Sequence, residues 1–508
     1  TRQHEPPRGE SAERLVRGLG TLDATAIVMG SMIGSGIFIT SAESSRLVGS
    51  PGWLLVAWGL AGLMTVCGAI CCAELSAMLP RAGGQYVFLR EAYGRLFGFL
   101  FGWSTFLVVQ TGTIAAVAVA FAKFLGVLVP QVSADPTLIP PIGLGAYAIS
   151  LSPQQAVAIA LIALLTLSNM RGLKLGAAIQ NIFTITKTSA LLALIAAGLT
   201  LGANRGSAAW TSSWWDPSAN GWSAAAEYPG LGFEGTSALL LLLGLAMIGP
   251  LFSQTAWNNV TFTGGETIDP GRTLPRALLL GCGSVVMLYL LANVAYLVTL
   301  PFSEIQHAPQ DRVGTAAMKA ILGENGQTVM ALAILISTFG CVNGIILGGA
   351  RVYYAMAQDG LFFAKAGTLN ARHVPATALI AQGVWAGLLT LPVTVKPDGG
   401  YGSVYNQLLE YIIPVDVTFY ALMVGAVLAL RRKAPNWERP YRTWGYPLPL
   451  ILYLVLAALL VADFVYLKPA TSGIGYLIVL AGVPVYLAWS RSAGGTPQSA
   501  SAGSANPG

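Results

Sequence analysis

Charged side chains are scarce in this sequence of 508 residues. Asp, Glu, Lys and Arg make up 10% of the chain, whereas they form about 25% of a typical soluble domain. Apolar side chains make up 54%, and the mean hydropathy is +0.64. This composition excludes a soluble domain, a disordered chain, a coiled coil and a nucleic-acid-binding module. It indicates an integral membrane protein that contacts the lipid bilayer.

Cysteine and histidine are also few. The five cysteines lie inside apolar runs, where a thiol packs as a small apolar side chain, so we expect no disulfide framework. The three histidines lie in polar loop or terminal stretches without metal-ligand spacing. A membrane enzyme would need metal ligands or a nucleophile and base within its spans. We therefore expect no catalytic residue, no metal and no cofactor.

Long apolar stretches are abundant. A membrane-spanning helix needs about 20 apolar residues, and twelve stretches approach or exceed that length. They run from Thr21 to Leu47, Trp53 to Met78, Leu96 to Val129, Gln154 to Leu167, Leu175 to Leu201, Ser237 to Phe262, Leu274 to Leu300, Val329 to Met356, Ala376 to Val393, Gln407 to Leu430, Leu448 to Tyr466 and Ile474 to Trp489. The sequence thus predicts an all-α integral membrane protein with 12 transmembrane helices, of which the fourth has the weakest signal.

The distribution of Lys and Arg predicts the orientation. If both termini are cytoplasmic, 20 of the 28 Lys and Arg residues lie on the cytoplasmic side, which follows the positive-inside rule. Lys187 lies in mid-membrane, and the seven others are placed outside: Arg46, Lys123, Arg205, Arg312, Lys319, Lys396 and Lys468. The predicted regions are a cytoplasmic segment 1–18, helices 1–5 in 19–202, an extracellular loop 203–236, helices 6–10 in 237–432, helices 11 and 12 in 433–491, and a disordered tail 492–508. We expect the cell inner (plasma) membrane.

Two predicted spans are internally interrupted. The first contains three glycines and two serines between Gly30 and Phe38, and the sixth contains Pro250 and several polar residues up to Asn259. Unwound backbone cannot remain unpaired in hydrocarbon. Free N–H groups that open a half-helix favour a carboxylate, and free carbonyls favour an ammonium. Broken helices in equivalent positions of two halves therefore predict an amino acid site at the bilayer midplane, although glycines also permit close helix packing.

At these residues the chain resembles the amino acid-polyamine-organocation superfamily. Within it, the chain is similar to the L-amino acid transporter family, which includes the light chains of animal heteromeric transporters. The matching segments are Gly34 to Phe38, Ala73 to Leu75, Pro80 to Tyr86, Asn181 to Lys187, Leu251 to Phe252, Trp257 to Asn258, Arg351 to Gly360 and Glu438 to Pro440. The resemblance implies the leucine-transporter fold, with a 5+5 inverted repeat, discontinuous helices 1 and 6 and two peripheral helices. It also implies sodium-independent exchange by alternating access.

The same resemblance implies roles for individual residues. Ser35 and Gly36 match the segment that binds the substrate carboxylate. Ile33, Phe252 and Thr255 match positions whose main-chain carbonyls receive the amino group, and Phe252 also matches the outer gate. We add Gly34, Ser253 and Asn258, which lie in the interrupted segments, and Asp416 in the tenth span. The predicted substrate site thus comprises Ile33, Gly34, Ser35, Gly36, Phe252, Ser253, Thr255, Asn258 and Asp416.

One difference from the animal members concerns a partner. Those members carry a cysteine between the third and fourth spans that bridges to a heavy chain. The stretch from Val129 to Pro153 contains none. We therefore expect no disulfide-linked heavy chain, as in the free-standing bacterial members of the family.

Charged residues inside the spans are the remaining candidates. An unpaired ammonium in mid-membrane costs at least about 2.5 kcal/mol, and Lys187 matches the family's fifth-span lysine. It could replace sodium by binding carbonyls of the broken first helix, or it could titrate and drive proton symport. Asp416 could approach the substrate side chain and favour polar or cationic ones, or it could pair with a neighbouring hydroxyl, which we favour. We expect a structural role for Asp463.

Four functions are considered at this point. An amino acid exchanger is favoured, with neutral L-amino acids as substrates and alanine and serine among them. Proton-coupled amino acid symport is the alternative that uses Lys187 as the titrating group. A channel would not need two broken helices, and a multi-pass membrane enzyme lacks visible catalytic groups within its spans.

Overall fold

The computed structural model describes residues 18–80, 83–145, 147–171, 176–202, 213–370, 374–395 and 401–493. Most of these residues are helical. Most of the predicted amino-terminal segment and carboxyl-terminal tail and part of the predicted loop 203–236 lie outside the described residues. The same holds for five charged residues that were used to predict the orientation: Arg81, Lys174, Arg205, Arg372 and Lys396.

Nineteen α-helices follow one another along the described chain. They are α1 Thr21–Met32, α2 Gly36–Ile39, α3 Ser41–Val48, α4 Pro51–Met78, α5 Gln85–Tyr93, α6 Arg95–Ser104, α7 Gln110–Leu128, α8 Pro153–Asn169, α9 Gly176–Leu201, α10 Ala224–Glu227, α11 Gly235–Ala246, α12 Ile248–Ser253, α13 Pro270–Thr299, α14 Phe302–Gln306, α15 Val313–Gln358, α16 Ala376–Leu389, α17 Val404–Lys433, α18 Leu448–Leu467 and α19 Pro469–Ala493. A π-helical turn, Thr105–Val109, joins α6 to α7. Short 3-10 helices span Ser218–Asn220, Trp257–Glu266, Pro309–Asp311 and Ala364–Gly367.

Ten helical segments of the described chain are long and apolar enough to cross a membrane. The chain is therefore a multi-pass membrane protein. Helices α8 and α16, which fall on the fourth and ninth predicted spans, are shorter, with 17 and 14 residues. Each of the twelve predicted stretches coincides with helix over most of its length, but α16 ends at Leu389, before the predicted end at Val393.

The prediction of a purely helical chain was wrong at one place. Three antiparallel strands, β1 Ile139–Leu144, β2 Tyr147–Leu151 and β3 Pro392–Thr394, form a small sheet in the order β1-β2-β3. Ile142 pairs with Ile149, and Ala148 pairs with Val393. The sheet forms because the connection between α7 and α8 folds back on itself beside the end of α16. A pairing so distant in sequence leaves no periodic signal in either segment.

The first predicted break is confirmed. Helix α1 ends at Met32 and α2 begins at Gly36, so Ile33 to Ser35 are not helical. In the sixth span the break lies after α12, at Gln254 to Ala256, where Ala256 adopts a left-handed conformation with φ of 66°. Pro250 does not break the helix, because it lies in the first turn of α12, where its missing N–H is harmless.

The two broken segments pack directly against each other. A Cβ atom added to Gly36 would lie 2.1 Å from Ser253 Oγ and 3.0 Å from its Cα, so only glycine fits there. On the next turn, a Cβ atom on Gly249 would lie 2.4 Å from Thr40 Cβ. The Thr40 and Ser253 hydroxyls are 3.4 Å apart. These close approaches bring the outer parts of the first and sixth spans together.

The bundle has two ends. At the amino-terminal face, where α1 begins, Leu19 pairs with Thr267 just after the 3-10 helix that ends the sixth span. At the opposite face, the segment before α11 covers the start of α4, and the Trp214 carbonyl accepts a hydrogen bond of 3.0 Å from the Gly52 N–H.

A buried carboxylate ties three elements together at the amino-terminal face. Glu74, whose side chain is 1% exposed, accepts two hydrogen bonds of 2.9 and 2.7 Å from the Arg431 guanidinium. It also accepts bonds of 2.7 Å from the Thr443 N–H and hydroxyl. Arg439 Nε lies 3.4 Å away. This network fixes the ends of α4 and α17 and explains why Glu74 and Arg439 belong to the matching motifs.

Candidate substrate site

The break in the first helix leaves backbone groups without partners. Ile33, Gly34, Ser35 and Gly36 are all buried. Within the described part of the chain, the N–H groups of Ser35 and Gly36 donate no hydrogen bond and the Ile33 carbonyl accepts none. Buried backbone groups are almost always paired. The break therefore presents two donors and an acceptor that a bound molecule could satisfy.

The carbonyls on both sides of this break are already occupied. Tyr289 donates its hydroxyl to the Met32 carbonyl at 2.9 Å, and Tyr296 donates to the Ile37 carbonyl at 3.2 Å. Both tyrosines come from α13 and are completely buried. They hold the two halves of the first span in place while the backbone between them remains available.

The break in the sixth helix differs from the sequence prediction in one respect. The Phe252 carbonyl, expected to receive the amino group, accepts hydrogen bonds from the N–H of Thr255 at 3.3 Å and from its hydroxyl at 2.9 Å. This carbonyl is therefore already hydrogen-bonded within its own turn. The Thr255 carbonyl accepts no hydrogen bond from any residue that the structure describes. In this conformation the carbonyls of Ile33 and Thr255 are the available acceptors.

Phe252 lies under a second aromatic ring. It is 6% exposed, and its ring meets that of Tyr405 edge-on, with centroids 6.0 Å apart and an interplanar angle of 85°. The Tyr405 hydroxyl lies 3.3 Å from Ser35 Oγ. Tyr405 was not predicted as a site residue, because nothing in a single sequence distinguishes it from other tyrosines near helix starts. It joins the gate candidate to the carboxylate-binding candidate.

Lys187 reaches the first helix just before its break. The side chain is completely buried in α9, and its ammonium donates a hydrogen bond to the Gly30 carbonyl. This is the type of contact expected from the sequence. Gly34 packs nearby against α15, since a Cβ atom there would lie 3.2 Å from Cys341 Sγ. The fifth and eighth spans therefore both contact the broken segment.

A small cavity lies on the amino-terminal side of the sixth-span break. Thr255, Asn258 and Asp416 line it. The other lining residues are Gln85, Phe101, Thr105, Val109, Gln110, Thr113, Ala256, Asn259, Phe262, Ile345 and Tyr420. Thr105 and Val109 belong to the π-helical turn, an irregularity that is frequent at functional sites. Sequence reasoning missed the residues of the third span, whose polar side chains were the available signal.

Asp416 faces this cavity without a partner. It is 8% exposed, and its carboxylate makes no hydrogen bond or ion pair with the described residues. The favoured interpretation, pairing with a neighbouring hydroxyl, is therefore wrong in this structure. A carboxylate that is buried without a partner in protein is available to a ligand.

A chain of side-chain hydrogen bonds closes the cavity toward the amino-terminal face. Asn258 Nδ2 donates to Gln85 Oε1 at 2.7 Å, and the Tyr420 hydroxyl donates to Asn258 Oδ1 at 2.9 Å. Gln85 Nε2 donates to the Phe419 carbonyl at 3.0 Å. Asn258 is thus saturated by protein partners. Its amide links the sixth span to α5 and to the tenth span, α17.

A second, larger cavity opens toward the opposite face. It is lined by Thr40, Glu43 and Gly249 and by the ion pair of Glu410 with Lys468, whose charged atoms are 2.8 Å apart. Burial alone would lower the pKa of Lys468, but the Glu410 carboxylate outweighs it and raises that pKa above its ordinary value. Along α12, Phe252 lies between the Gly249 end of this cavity and the Thr255 end of the other.

Metal and thiol chemistry have no visible place in the described chain. The residues placed by the structure form no group of three His, Cys, Asp or Glu side chains that could hold a metal. The five cysteines, Cys67, Cys71, Cys72, Cys282 and Cys341, are buried and free.

Comparisons with known proteins identify relatives along almost the whole chain. The chain is 30% identical over 487 residues to the large neutral amino acids transporter small subunit 2 of Mus musculus, covering 95% of this chain and 82% of the relative. It is 28% identical over 494 residues to the Asc-type amino acid transporter 1 of Homo sapiens, covering 94% and 83%. It is 25% identical over 456 residues to the b(0,+)-type amino acid transporter 1 of Mus musculus, covering 89% and 83%.

The family model for amino acid permeases matches residues 19–488. This range includes both broken helices, Lys187, the cavity on the amino-terminal side and the Glu74 network. The resemblance inferred from the motifs is confirmed, and these relatives are transporters rather than enzymes. The chain belongs to the amino acid permease family.

Proposed function

We propose that this chain is a sodium-independent exchanger of neutral L-amino acids that works by alternating access. The observation that carries the proposal is the meeting of two helix breaks, in which Gly36 packs against Ser253 beside unpaired backbone donors and acceptors. The N–H groups of Ser35 and Gly36 would bind the carboxylate, and the carbonyls of Ile33 and Thr255 would bind the ammonium. One zwitterionic amino acid would pair with the free backbone groups of both helix breaks.

The packing supports twelve spans with a 5+5 inverted repeat. The two broken helices, which open the two halves, contact each other, and the helices that follow them, α4 and α13, also pack together. A pseudo-two-fold axis in the membrane plane brings equivalent helices into contact in this way. The short helices α8 and α16 count as spans because they pack against each other and against α7 inside the bundle.

Lys187 supports sodium independence. Its ammonium donates to the Gly30 carbonyl in the last turn of α1 before the break. Carbonyls near unwound transporter helices are the groups that coordinate sodium in coupled carriers. A cation fixed to the protein at that place removes the need for an ion from solution. Proton symport remains the alternative, with Lys187 as the titrating group.

Charge supports the orientation. The described Arg and Lys residues around α5, between α17 and α18 and near the start of α13 belong to the amino-terminal face. Membrane proteins keep such residues in the cytoplasm. We therefore assign the amino-terminal face to the cytoplasm and the cavity beside Lys468 to the cell exterior, in a plasma membrane.

The relatives favour neutral substrates. One relative is named for large neutral amino acids. In this chain Asp416 faces the cavity alone, so side chains with a hydroxyl, such as that of serine, gain a charged acceptor. We propose alanine, serine and other neutral L-amino acids as substrates.

The chain is proposed to work without a disulfide-linked heavy chain. The same relative is named as a small subunit. Here the connection between α7 and α8, from Val129 to Ser152, contains no cysteine, and two strands of the small sheet lie in it.

Reconstitution into liposomes tests the function. Labelled alanine or serine should enter vesicles that contain unlabelled amino acid and should not accumulate in empty vesicles. Replacing sodium by choline should leave the rate unchanged. Accumulation in empty vesicles under an imposed pH gradient would point to proton symport instead, and uptake that never saturates would point to a channel.

A further inference from the structure

A second lysine is buried inside the bundle. The sequence placed Lys123 on the outer side, near the end of the predicted span from Leu96 to Val129. In the structure it lies in α7, more than one turn before the helix ends at Leu128, and it is only 6% exposed. An ammonium in such a place is costly unless it has partners. Its partners therefore indicate what it does.

One partner is a carboxylate that Lys123 shares with another cation. Asp311 Oδ2 lies 4.0 Å from Lys123 Nζ, and Asp311 Oδ1 lies 2.9 Å from Arg46 Nη1. Arg46 belongs to α3, the outer part of the broken first span, and Lys123 belongs to the third span. Arg312 also donates to the Lys123 carbonyl at 3.0 Å. One carboxylate thus links two elements of the bundle.

The segment that carries this carboxylate is strained. Gln310 and Asp311 have φ values of 54° and 62°, in the left-handed region that residues with side chains rarely adopt. Strain of this kind persists only where the surroundings fix it. Arg46 and Lys123, the two cations that contact Asp311, hold the segment in this backbone conformation, which residues with side chains disfavour.

The other partner of Lys123 is an aromatic ring. The ammonium lies over the face of Tyr405, 5.6 Å from the ring centroid, a distance at which a cation attracts the ring. Tyr405 is completely buried. Its ring meets Phe252 and its hydroxyl meets Ser35. Lys123 is therefore the one described cation that contacts both the Asp311 cluster and a residue touching the gate candidate.

We propose that Lys123 is a positioning residue for the outer gate. It holds the Tyr405 ring against Phe252 and, through Asp311, links that ring to Arg46 on the moving outer half of the first helix. Outward tilting of α3 must then break or stretch the Arg46 contact with Asp311 and release Tyr405 at the same time. The inference rests on the proposed function, because Phe252 is a gate only if substrate passes it.

The test measures how easily the outer gate opens to the cell exterior. Ser253 is 4% exposed and does not line the outer cavity, although Thr40 and Gly249 beside it do. A thiol introduced by Ser253→Cys should therefore react with a membrane-impermeant reagent only when the gate opens. The reaction rate is measured without amino acid in intact cells and in inverted vesicles. The same chain with Ser253 gives the background, since its five cysteines are buried.

Three changes at lysines separate the gate role from general damage. Lys123→Met removes the cation and should raise the labelling rate from the cell exterior about fivefold, which matches the loss of one buried cation contact. Lys123→Arg keeps a cation over the ring and should stay near the parent rate. Lys319→Met is the matched control, because Lys319 is 53% exposed and pairs with exposed Glu324 at 2.6 Å. It should change nothing.

A second variant keeps the test decisive if Lys123→Met does not fold. Asp311→Asn leaves Lys123 and Arg46 without their shared counterion, so it should also raise exterior labelling. Thermal unfolding in detergent identifies variants that fold. Exterior labelling at the parent rate in folded Lys123→Met, or in Asp311→Asn where Lys123→Met does not fold, would overturn the proposal. Equal rises in Lys123→Met and Lys123→Arg would overturn it as well.

Failure of this inference can be told apart from failure of the proposed function. Labelling reports conformation and does not require transport. A parent protein that exchanges no amino acid, but whose labelling depends on Lys123, contradicts the proposed function only. A parent that exchanges normally, with labelling independent of Lys123, contradicts the gate-positioning role only.

Discussion

The contact between the two helix breaks predicts that Gly36 cannot be replaced even by alanine. A Cβ atom at this position would lie 2.1 Å from Ser253 Oγ, 2.8 Å from Ser253 Cβ and 3.0 Å from Ser253 Cα. The hydroxyl cannot simply turn away, because the Cβ and the backbone are also too close. Gly36→Ala must push the first span away from the sixth.

The size of the effect follows from this geometry. Overpacking a well-packed site costs about 1 to 3 kcal/mol. If that cost is borne by the conformation in which the breaks touch, its population falls about 5- to 150-fold relative to conformations in which they are apart. We expect exchange by Gly36→Ala to fall by at least about fivefold.

A double variant makes the prediction specific. Ser253→Gly removes the two side-chain atoms and leaves only Cα at 3.0 Å. Adding it to Gly36→Ala should recover most of the lost exchange, a coupling that a double-mutant cycle measures directly. Gly59→Ala is the matched control, since a Cβ atom there meets nothing within 4 Å.

The assay is counter-exchange of labelled alanine in proteoliposomes, with the amount of folded protein checked by gel filtration in detergent. Gly36→Ala that exchanges like Gly59→Ala would refute the close contact. Loss of exchange in Gly36→Ala that Ser253→Gly does not relieve would show that the damage arises elsewhere than at the meeting of the two breaks.

Three further variants test other parts of the site. Phe252→Ala should reduce turnover at least about fivefold more than Phe252→Trp, because the tryptophan ring can still close the path to the substrate. Equal turnover in the two variants would remove the gate assignment. Lys187→Ala should slow exchange at least about tenfold while substrate affinity changes only several-fold, measured by paired binding and exchange assays; intact exchange would return Lys187 to a structural role. Asp416→Ala should lower serine uptake relative to alanine uptake about tenfold in competition assays, and an unchanged ratio would show that its carboxylate does not contact the substrate.

The sequence was sufficient for features that depend on local chemistry. Glycines and serines between Gly30 and Phe38 weaken a helix wherever they occur, and α1 does end at Met32. A buried ammonium also needs a hydrogen-bond acceptor wherever it lies, and Lys187 does contact the Gly30 carbonyl. The polar residues after Pro250 likewise marked the second break, which lies at Gln254 to Ala256, although Pro250 itself sits in the first turn of α12.

Features that depend on distant partners could not be predicted. The sheet pairs Ala148 with Val393 across nearly half of the chain, and neither strand alternates in hydropathy. The predicted span from Leu96 to Val129 contained Lys123, but its partners, Asp311 and Tyr405, lie on segments distant in sequence. Asp416 was expected to find a hydroxyl, but which helix faces it is decided by packing. A single sequence gives the polarity of these residues and not their neighbours.

The most direct test of the central claim is the stoichiometry of exchange. Proteoliposomes are loaded with alanine carrying one label and are placed in sodium-free buffer that contains serine carrying another, and both fluxes are followed in the same vesicles. If one site alternates between the two faces and returns only when occupied, efflux begins only when external serine is added, and one alanine leaves for each serine that enters. Efflux at the same rate into buffer without amino acid would contradict the account.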